Sequence, residues 1–544
     1  MRKQKLSRLF SQKVSQQEHR TSHASQQQNE KSQLSLKHQR NQLRAGLAIV
    51  AGRATGALSR RLHLGGGTSI IGLVAQSVYP EIIEHLAAQL EHGAVVVTGT
   101  NGKTTTSSFI AAILSDGGLR VWHNREGSNL MRGVASSLVI RALPTGRLRR
   151  SGHAISVLEI DEAILPQILQ AVPPRVVIFT NLFRDQLDRY GEVDSIRARW
   201  QSAIKQLPAS TTLVLNADDP TIAQLAEGFS GQVLYYGIND LTLDLVSQQD
   251  AAERHQVIDT RTCPRCGSDY HYHARFYSHM GHYDCPKCGL QRPQPDIRAL
   301  RVQPDSFDQL RILVETTNRQ QEVVIPLPGL YNIYNALAAM TATLALDIAW
   351  EAIISGIEQF KPVFGRGERI QVEGRTIRLL LAKNPTGFNE VLRTLFTDET
   401  PRHVLFILND KTADGRDISW IWDVDFERVV GKTLTLAVSG TRAFDLALRL
   451  KYAGIPQQEI MVIPPAPLRA LKHKMTRQAK EHSPETASRQ PSLYGLKNAL
   501  KQALNQTPVG ETLFIVPTYT GLLEVHRELE RRGLTAHYWE GRDA

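Results

Sequence analysis

Three clusters of residues in this chain could do chemistry. The first is Gly99-Thr100-Asn101-Gly102-Lys103-Thr104-Thr105, set between the valines Val95, Val96 and Val97 and a run with one apolar helical face, residues 107–114. Strand, glycine turn and helix start in that order make a cradle for phosphate. Unpaired backbone N–H groups and the positive end of the helix face the anion, and Lys103 adds a full charge. Thr104 offers a hydroxyl to Mg²⁺. The strict phosphate-loop pattern wants a glycine five residues before Gly102, where Val97 stands. A plain strand-to-helix turn with a surface lysine would leave Gly-Lys-Thr at a helix start without a reason.

A carboxylate should face that cradle. The apolar run 154–158 reads as a strand ending in Glu159-Ile160-Asp161-Glu162, and ligands bind at the carboxyl ends of parallel strands. Glu159 is the candidate Mg²⁺ ligand, with Asp161 or Glu162 in reserve. Residues 175–181 and 213–219 repeat the pattern of an apolar strand ending in polar residues, although single acidic residues there also serve as turn formers or caps.

The second cluster holds all four cysteines, Cys263 and Cys266 followed by Cys285 and Cys288. Two Cys-x₂-Cys knuckles, each followed by glycine (Gly267 and Gly289), have the spacing of a zinc ribbon. Four thiolates leave Zn²⁺ no open position, so the metal would be structural. Redox dithiols or disulfides are the alternatives, disfavoured in a reducing cytosol. His271, His273, His279 and His282 between the knuckles are spare ligands or surface residues. With every cysteine committed to metal, none is left as a nucleophile.

The third is Asn409–Glu427, which packs Asp410, Asp414, Asp417, Asp423, Asp425 and Glu427 with Trp420 and Trp422 directly after a predicted strand. Tryptophans in so polar a loop suit a partner interface.

These clusters need a frame. At 544 residues the chain has room for several domains. The net charge of +11 is concentrated at the start, because residues 1–45 hold five Lys and five Arg against Glu18 and Glu30. The remainder is nearly neutral, which argues against a nucleic-acid-binding body. Residues 1–45, rich in Gln and Ser, read as a disordered basic tail. No apolar core follows the polar start, so no signal peptide is expected and a cytoplasmic location is. Residues 46–93 read as one or two helices around Gly65-Gly66-Gly67. The expected architecture is α/β: a phosphate-loop domain over 46–368, interrupted by the zinc ribbon at about 255–295, then a Rossmann-like α/β domain over 369–544. Candidate strands of the latter are 377–381, 404–407, 433–438 and 513–516, and 464–491 reads as a basic loop.

The sequence resembles the Mur ligase superfamily, ATP-dependent ligases of peptidoglycan and folate-polyglutamate synthesis. The residues that carry this are Gly99–Thr104, the stretch Asn181 to Tyr190, Leu215-Asn216-Ala217-Asp218-Asp219, Leu327-Pro328-Gly329 with Asn332 and Asn335, and Phe364-Gly365-Arg366-Gly367-Glu368-Arg369. The resemblance implies ATP as cosubstrate, adenine contacts from Asn332 and Asn335, and a phosphate contact from Arg366. Three places depart from the pattern. Asp185-Gln186 stands where the superfamily has Asp-His, Gln201 falls near its often-carbamylated lysine, and Leu381-Ala382-Lys383-Asn384-Pro385 replaces its Asp-Tyr-Ala-His stretch.

The acidic loop, the short N-terminal region and the ribbon resemble the branch of the superfamily that amidates lipid II. That implies a heterodimer with a GatD-type glutamine amidotransferase, and a role for Asp417, with Asp414 as substitute, in completing the partner's Cys–His pair. It also implies activation of the D-glutamate α-carboxylate of the stem peptide as an acyl phosphate, stabilised by Lys103, Arg366 and Mg²⁺ on Thr104 and Glu159, at the membrane surface. A folylpolyglutamate-synthase-like ligase and a nucleotide-binding scaffold without ligase activity are the rival readings.

Overall fold

The computed structural model describes residues 39–535 except 60, 62–67, 125–128, 150–151, 173, 185–191, 246–259, 363–364, 399 and 466–494. Asp185-Gln186, most of the predicted loop at 464–491 and residues 1–38 therefore lie outside the described residues. Strands are β1 (Ala94–Thr98), β2 (Arg120–His123), β3 (Ala154–Glu159), β4 (Val176–Phe179), β5 (Thr212–Asn216), β6 (Gln232–Ile238), β7 (His271–Tyr277) and β8 (Met280–Asp284). They continue as β9 (Ile297–Ser306), β10 (Gln309–Thr316), β11 (Arg319–Ile325), β12 (Arg366–Val372), β13 (Arg375–Leu380), β14 (Arg402–Ile407), β15 (Thr433–Ser439), β16 (Ile460–Val462) and β17 (Thr512–Pro517).

The chain divides into two compact units. The first comprises residues up to Ala94 with 122–158 and 170–172. Its helices are 39–59, Thr68–Val78, Ile82–Ala87 and Met131–Arg141. Gly72 lets two of them touch: a Cβ there would stand 1.9 Å from Arg132 O, and the Gly72 N–H donates to Ser136 Oγ at 2.7 Å. The helix over 39–59 starts inside the stretch that composition assigned to a disordered tail. Ala45, Ala48 and Ile49 are fully buried, at the spacing of a packed helical face, and that packing overrides the polar composition of 39–44.

The second unit holds the rest, including two sheets. In the first sheet its strands run β11-β10-β9-β6-β5-β4-β1. Pairs β1–β4, β4–β5, β5–β6 and β6–β9 are parallel, and β9–β10 and β10–β11 are antiparallel. Val95, Val96 and Val97 are fully buried, as are Leu213, Val214 and Leu215, the continuous apolar run of a parallel strand covered on both faces. The β7–β8 hairpin carrying the cysteine knuckles is inserted between β6 and β9. The antiparallel β9–β11 extension was not anticipated from the sequence.

The second sheet runs β12-β13-β17-β14-β15-β16, parallel except for the β12–β13 hairpin. Alternation along β14 feeds two cores. Val404 and Phe406 pack with Phe388, Trp420 and Phe426, while Leu405 and Ile407 pack with Leu500, Leu522 and Val525. Helices thus cover both faces. The four strands expected in this region correspond to β13, β14, β15 and β17.

Candidate functional site

The turn after β1 leaves the strand through Gly99 (φ +127°) and enters the helix Lys103–Asp116 through Gly102 (φ +86°). Both conformations favour glycine, and both positions are also sterically closed. A Cβ on Gly99 would lie 2.2 Å from Thr180 Oγ1, and one on Gly102 would lie 2.1 Å from Asn335 Oδ1. The loop is clasped from the end of β4. Thr100 N donates to Asn181 O (3.0 Å), Asn101 N to Asn181 Oδ1 (2.8 Å), and Thr180 Oγ1 to Asn101 O (2.8 Å). Thr100 Oγ1 donates to Phe183 O at 3.1 Å.

Lys103, Thr104 and Thr105 are all buried in the first turn of the helix. The Lys103 ammonium donates to Gly99 O and Thr100 O and pairs with Glu162 Oε1 at 3.2 Å. The segment after β3 is fastened beside the loop, since Ile160 N donates to Val97 O and Thr98 Oγ1 to Ile160 O. Trp200 Nε1 donates to Glu162 O at 2.9 Å. Glu162, the reserve carboxylate, is paired with Lys103. Glu159 ends β3 and is buried, and Asp161 accepts from Ala163 N in a turn.

Asn332 and Asn335 occupy the buried first turns of the helix Leu330–Leu344. Asn335 Nδ2 donates to Asn332 Oδ1 (3.0 Å), and Asn335 Oδ1 accepts from Thr106 Oγ1 (3.3 Å). Asn335 therefore lies directly against the phosphate loop. Arg366 opens β12, in register with Leu380, and its side chain is outside the described residues.

Sequence reasoning missed Asn384. It caps the helix Pro385–Leu395, accepting from Gly387 N at 2.8 Å. It also forms a reciprocal amide pair with Asn101: Asn384 Nδ2 donates to Asn101 Oδ1 (3.0 Å), and Asn101 Nδ2 donates to Asn384 Oδ1 (3.3 Å). The stretch that departs from the superfamily pattern thus closes on the phosphate loop. Asn-Pro at a helix start was the available signal.

The four thiols converge as their spacing required. Their sulfurs all lie within 4.8 Å of one another, with Cys263–Cys288 at 3.6 Å and Cys266–Cys285 at 3.4 Å. Zn–S bonds of about 2.3 Å in a tetrahedron set sulfurs about 3.8 Å apart, so the set fits that ion. All four cysteines are free, not joined in disulfides. Gly267 N and Gly289 N donate to Cys263 O and Cys285 O, giving two matching knuckles. The Ser268 N–H bonded to Cys266, with help from neighbouring thiols, lowers that thiol to about 6.

The hairpin tip makes contacts of its own. His279 is fully buried, 3.3 Å from Asp219 Oδ2, which also accepts from Leu182 N (3.0 Å) beside the loop clasp, while Asp219 Oδ1 caps the next helix through Thr221 N and Ile222 N. Asp218 ties Arg292, Tyr334 and Ile238 N together. Arg393, on the helix capped by Asn384, donates to Phe276 O at 2.7 Å. His271 and His273 contact Asp284, and His282 contacts Ile238 O; of the four histidines read as spare ligands or surface residues, His279 is instead a core residue.

In the acidic loop the charges are largely neutralised within the fold. Asp410 pairs with Arg442, Asp425 with Arg428 and Glu427 with Arg449. Both oxygens of buried Asp414 are taken by Thr520, through its N–H (2.7 Å) and its hydroxyl, and burial pushes its carboxyl up. Asp417 differs. Ser419 N and Oγ both donate to Oδ1 (2.8 and 2.7 Å) and hold the carboxyl below the ordinary range. Only one tryptophan suits an interface: Trp420 is a core residue, whereas Trp422 is 51% exposed. Trp422 meets the ring of Tyr452, which with Phe444 and Leu448 forms an exposed apolar row on the helix Ala443–Tyr452.

Asn384, Asn409, Asp414 and Thr518 all sit just beyond the carboxyl ends of β13, β14 and β17, the edge at which α/β sheets present ligand sites.

Comparison with known proteins agrees with this geometry. Residues 97–277 match the Mur ligase middle domain, and residues 381–522 match the MurT ligase C-terminal domain. The lipid II isoglutaminyl synthase (glutamine-hydrolyzing) subunit MurT of Staphylococcus aureus is 35% identical over 75% of this chain and 87% of its own length. The MurT subunit of Streptococcus pneumoniae is 33% identical over 77% of this chain and 89% of its own. Among solved structures, a pseudomurein peptide ligase type C from Methanothermus fervidus superposes with a TM-score of 0.56, at 22% identity, over 81% of this chain and 79% of that one. The fold is that of a Mur ligase, and the chain belongs to the MurT family of ligases.

Proposed function

We propose that this protein is the ATP-dependent subunit of a two-subunit amide ligase of peptidoglycan precursors, activating the α-carboxylate of D-glutamate in the lipid II stem peptide. The observation that carries the reading is the closed phosphate loop, with Lys103 buried in it and Asn384 fastened to it.

A carboxylate and ammonia do not condense unaided in water. In the proposed reaction a carboxylate oxygen attacks the γ-phosphorus of ATP, ADP departs, and an acyl phosphate results. Ammonia then adds to the acyl carbon, phosphate leaves with the bonding electrons, and the amide of D-isoglutamine remains after loss of a proton. The backbone N–H groups of residues 99–104 and the Lys103 ammonium stabilise charge on the transferring phosphoryl group. Phosphate oxygens would replace the loop carbonyls that Lys103 now contacts. Thr104 and Glu159, hard oxygen donors, would hold Mg²⁺, which neutralises phosphate charge when bound. Arg366 is assigned to phosphate, and Asn332 and Asn335 to adenine. Cys263, Cys266, Cys285 and Cys288 hold a structural Zn²⁺.

The nitrogen must come from elsewhere, because the four cysteines are gathered in one centre and leave no thiol nucleophile. A GatD-type glutaminase subunit supplies it, docking on Trp422, Phe444, Leu448 and Tyr452. Asp417 completes that subunit's Cys–His pair. Its carboxyl stays ionised and Oδ1 is oriented by Ser419, whereas both oxygens of Asp414 are engaged by Thr520. The complex works at the cytoplasmic face of the membrane, where its substrate resides.

Amidation of lipid II by the reconstituted pair tests this. Lys103→Ala should reduce ATP-dependent amidation by about 10²–10³ while thiol-bound metal stays unchanged. Asp417→Asn should lose glutamine-driven amidation and keep the activity supported by ammonium. Normal amidation by Lys103→Ala would overturn the site, and loss of both activities in Asp417→Asn would overturn its role.

A further inference from the structure

The helix over 39–59 is apolar on the wrong side as well as the right one. Its inner face is made of small residues, with Ala45, Gly46, Ala48, Ile49, Gly52 and Gly56 buried. Gly52 is pressed against the helix Thr68–Val78, where an added Cβ would stand 2.6 Å from Ile71 O. The opposite face should carry charge, as surface helices do. Instead Leu43, Leu47, Val50 and Leu58 are 72, 66, 50 and 57% exposed. With exposed Ala54 they follow at intervals of four, three, four and four residues, which returns them to one stripe about 22 Å long. On the neighbouring helix Ile70 and Leu73 are exposed as well. Single exposed leucines need no explanation, but a contiguous stripe does.

The surrounding charge selects the occupant. Arg40 and Arg44 are exposed beside the stripe, and Arg44 lies over the Tyr79 ring at 5.4 Å. Residues 1–45 together carry five Lys and five Arg against Glu18 and Glu30. Apolar side chains along one face of a helix, flanked by basic residues and preceded by a polybasic segment, are the components of an interfacial membrane anchor. No described helix is long and apolar enough to cross a membrane, so this one would lie in the surface.

We infer that the exposed face of the helix over 39–59 docks on an anionic lipid bilayer, with the basic residues that precede it supplying the electrostatic attraction. This rests on the reading that the substrate is lipid-linked: the anchor would confine the ligase to the plane in which that substrate diffuses.

The test uses the full-length protein and vesicles that contain no lipid II, so its outcome does not depend on ligase activity. Phosphatidylglycerol–phosphatidylcholine vesicles should sediment the protein at low salt. Pure phosphatidylcholine or high salt should weaken binding by tenfold or more, following the screening of surface charge. Leu43→Asp/Leu47→Asp should weaken binding to the anionic vesicles by at least tenfold while leaving circular dichroism and ATP binding unchanged. Leu47→Ser, a milder change, should give an intermediate loss and guards against misfolding of the double variant. Equal sedimentation of wild type and both variants would overturn the inference. So would a wild type that stays in solution with anionic vesicles. A wild-type dimer that the variants convert to monomers, without lipid binding, would assign the stripe to a second copy and overturn it equally.

Discussion

Gly102→Ala gives the sharpest test of how the phosphate loop is held. Two costs separate cleanly at this position. The residue sits at φ +86°, where a side chain costs about 1–2 kcal/mol. The new Cβ would also meet Asn335 Oδ1 at 2.1 Å and its Cγ at 3.1 Å. Asn335 cannot swing away freely, because it is buried and bonded to Asn332 and Thr106. Forfeiting those two hydrogen bonds costs about 0.5–1.5 kcal/mol each. Gly118 supplies the control: it has nearly the same conformation, φ +82°, and nothing within 4 Å of an added Cβ. Gly118→Ala should therefore show the backbone cost alone. The excess in Gly102→Ala, about 1–3 kcal/mol, should appear as ATP affinity weakened roughly 5- to 150-fold, measured by calorimetric titration. Combining Gly102→Ala with Asn335→Ala removes the clash, so the double variant should be less impaired than the two single costs added together. Equal ATP affinity in Gly102→Ala and Gly118→Ala, or strict additivity in the double variant, would refute the contact between the loop and Asn335.

Three further outcomes follow from the same geometry. Asn384→Ala should lower the melting temperature through the lost helix cap, worth about 1 kcal/mol. Asn384→Asp keeps the cap yet loses the donor to Asn101, so it should raise the KM for ATP with a near-normal melting temperature; an unchanged KM would show that the amide pair does not support the loop. Cys285→Ser should release the metal and speed amide exchange at Gly281, whose N–H is bonded to Asp218 O at 2.9 Å, by about tenfold or more; unchanged exchange would show that the hairpin tip is held without the thiol centre. Asp414→Asn tests burial. The raised carboxyl binds its proton more tightly in the folded than in the unfolded chain, so wild-type stability is favoured in acid and falls as pH climbs from about 3.8 through the raised value. The variant's melting temperature should gain on wild type over that interval, and a constant difference would reject the assignment.

The phosphate loop, the cysteine centre and four of the five parallel strands of the C-terminal sheet were legible in the sequence because each depends on near neighbours. Three valines and a Gly-Thr-Asn-Gly-Lys-Thr turn dictate strand, loop and helix locally, and two Cys-x₂-Cys knuckles need only one hairpin to meet. The limits were equally physical. Composition placed residues 39–45 in a tail, yet Ala45, Ala48 and Ile49 find a helical surface to bury against. Trp420 and Trp422 are two residues apart and look alike in sequence, but only the packing around Phe388 decides that one is core and the other surface.

What the sequence by itself determined was the chemistry within reach: a phosphate cradle, four thiolates at metal spacing, and acidic residues at strand ends. Tertiary structure alone decided which of those groups meet. Glu162 pairs with Lys103. Asn384, 283 residues away in sequence, bonds Asn101, and His279 reaches Asp219 across the inserted hairpin. Such contacts join segments whose separation along the chain leaves no periodic trace, so they become visible only once parallel strands and their crossovers have set the ends of distant segments side by side.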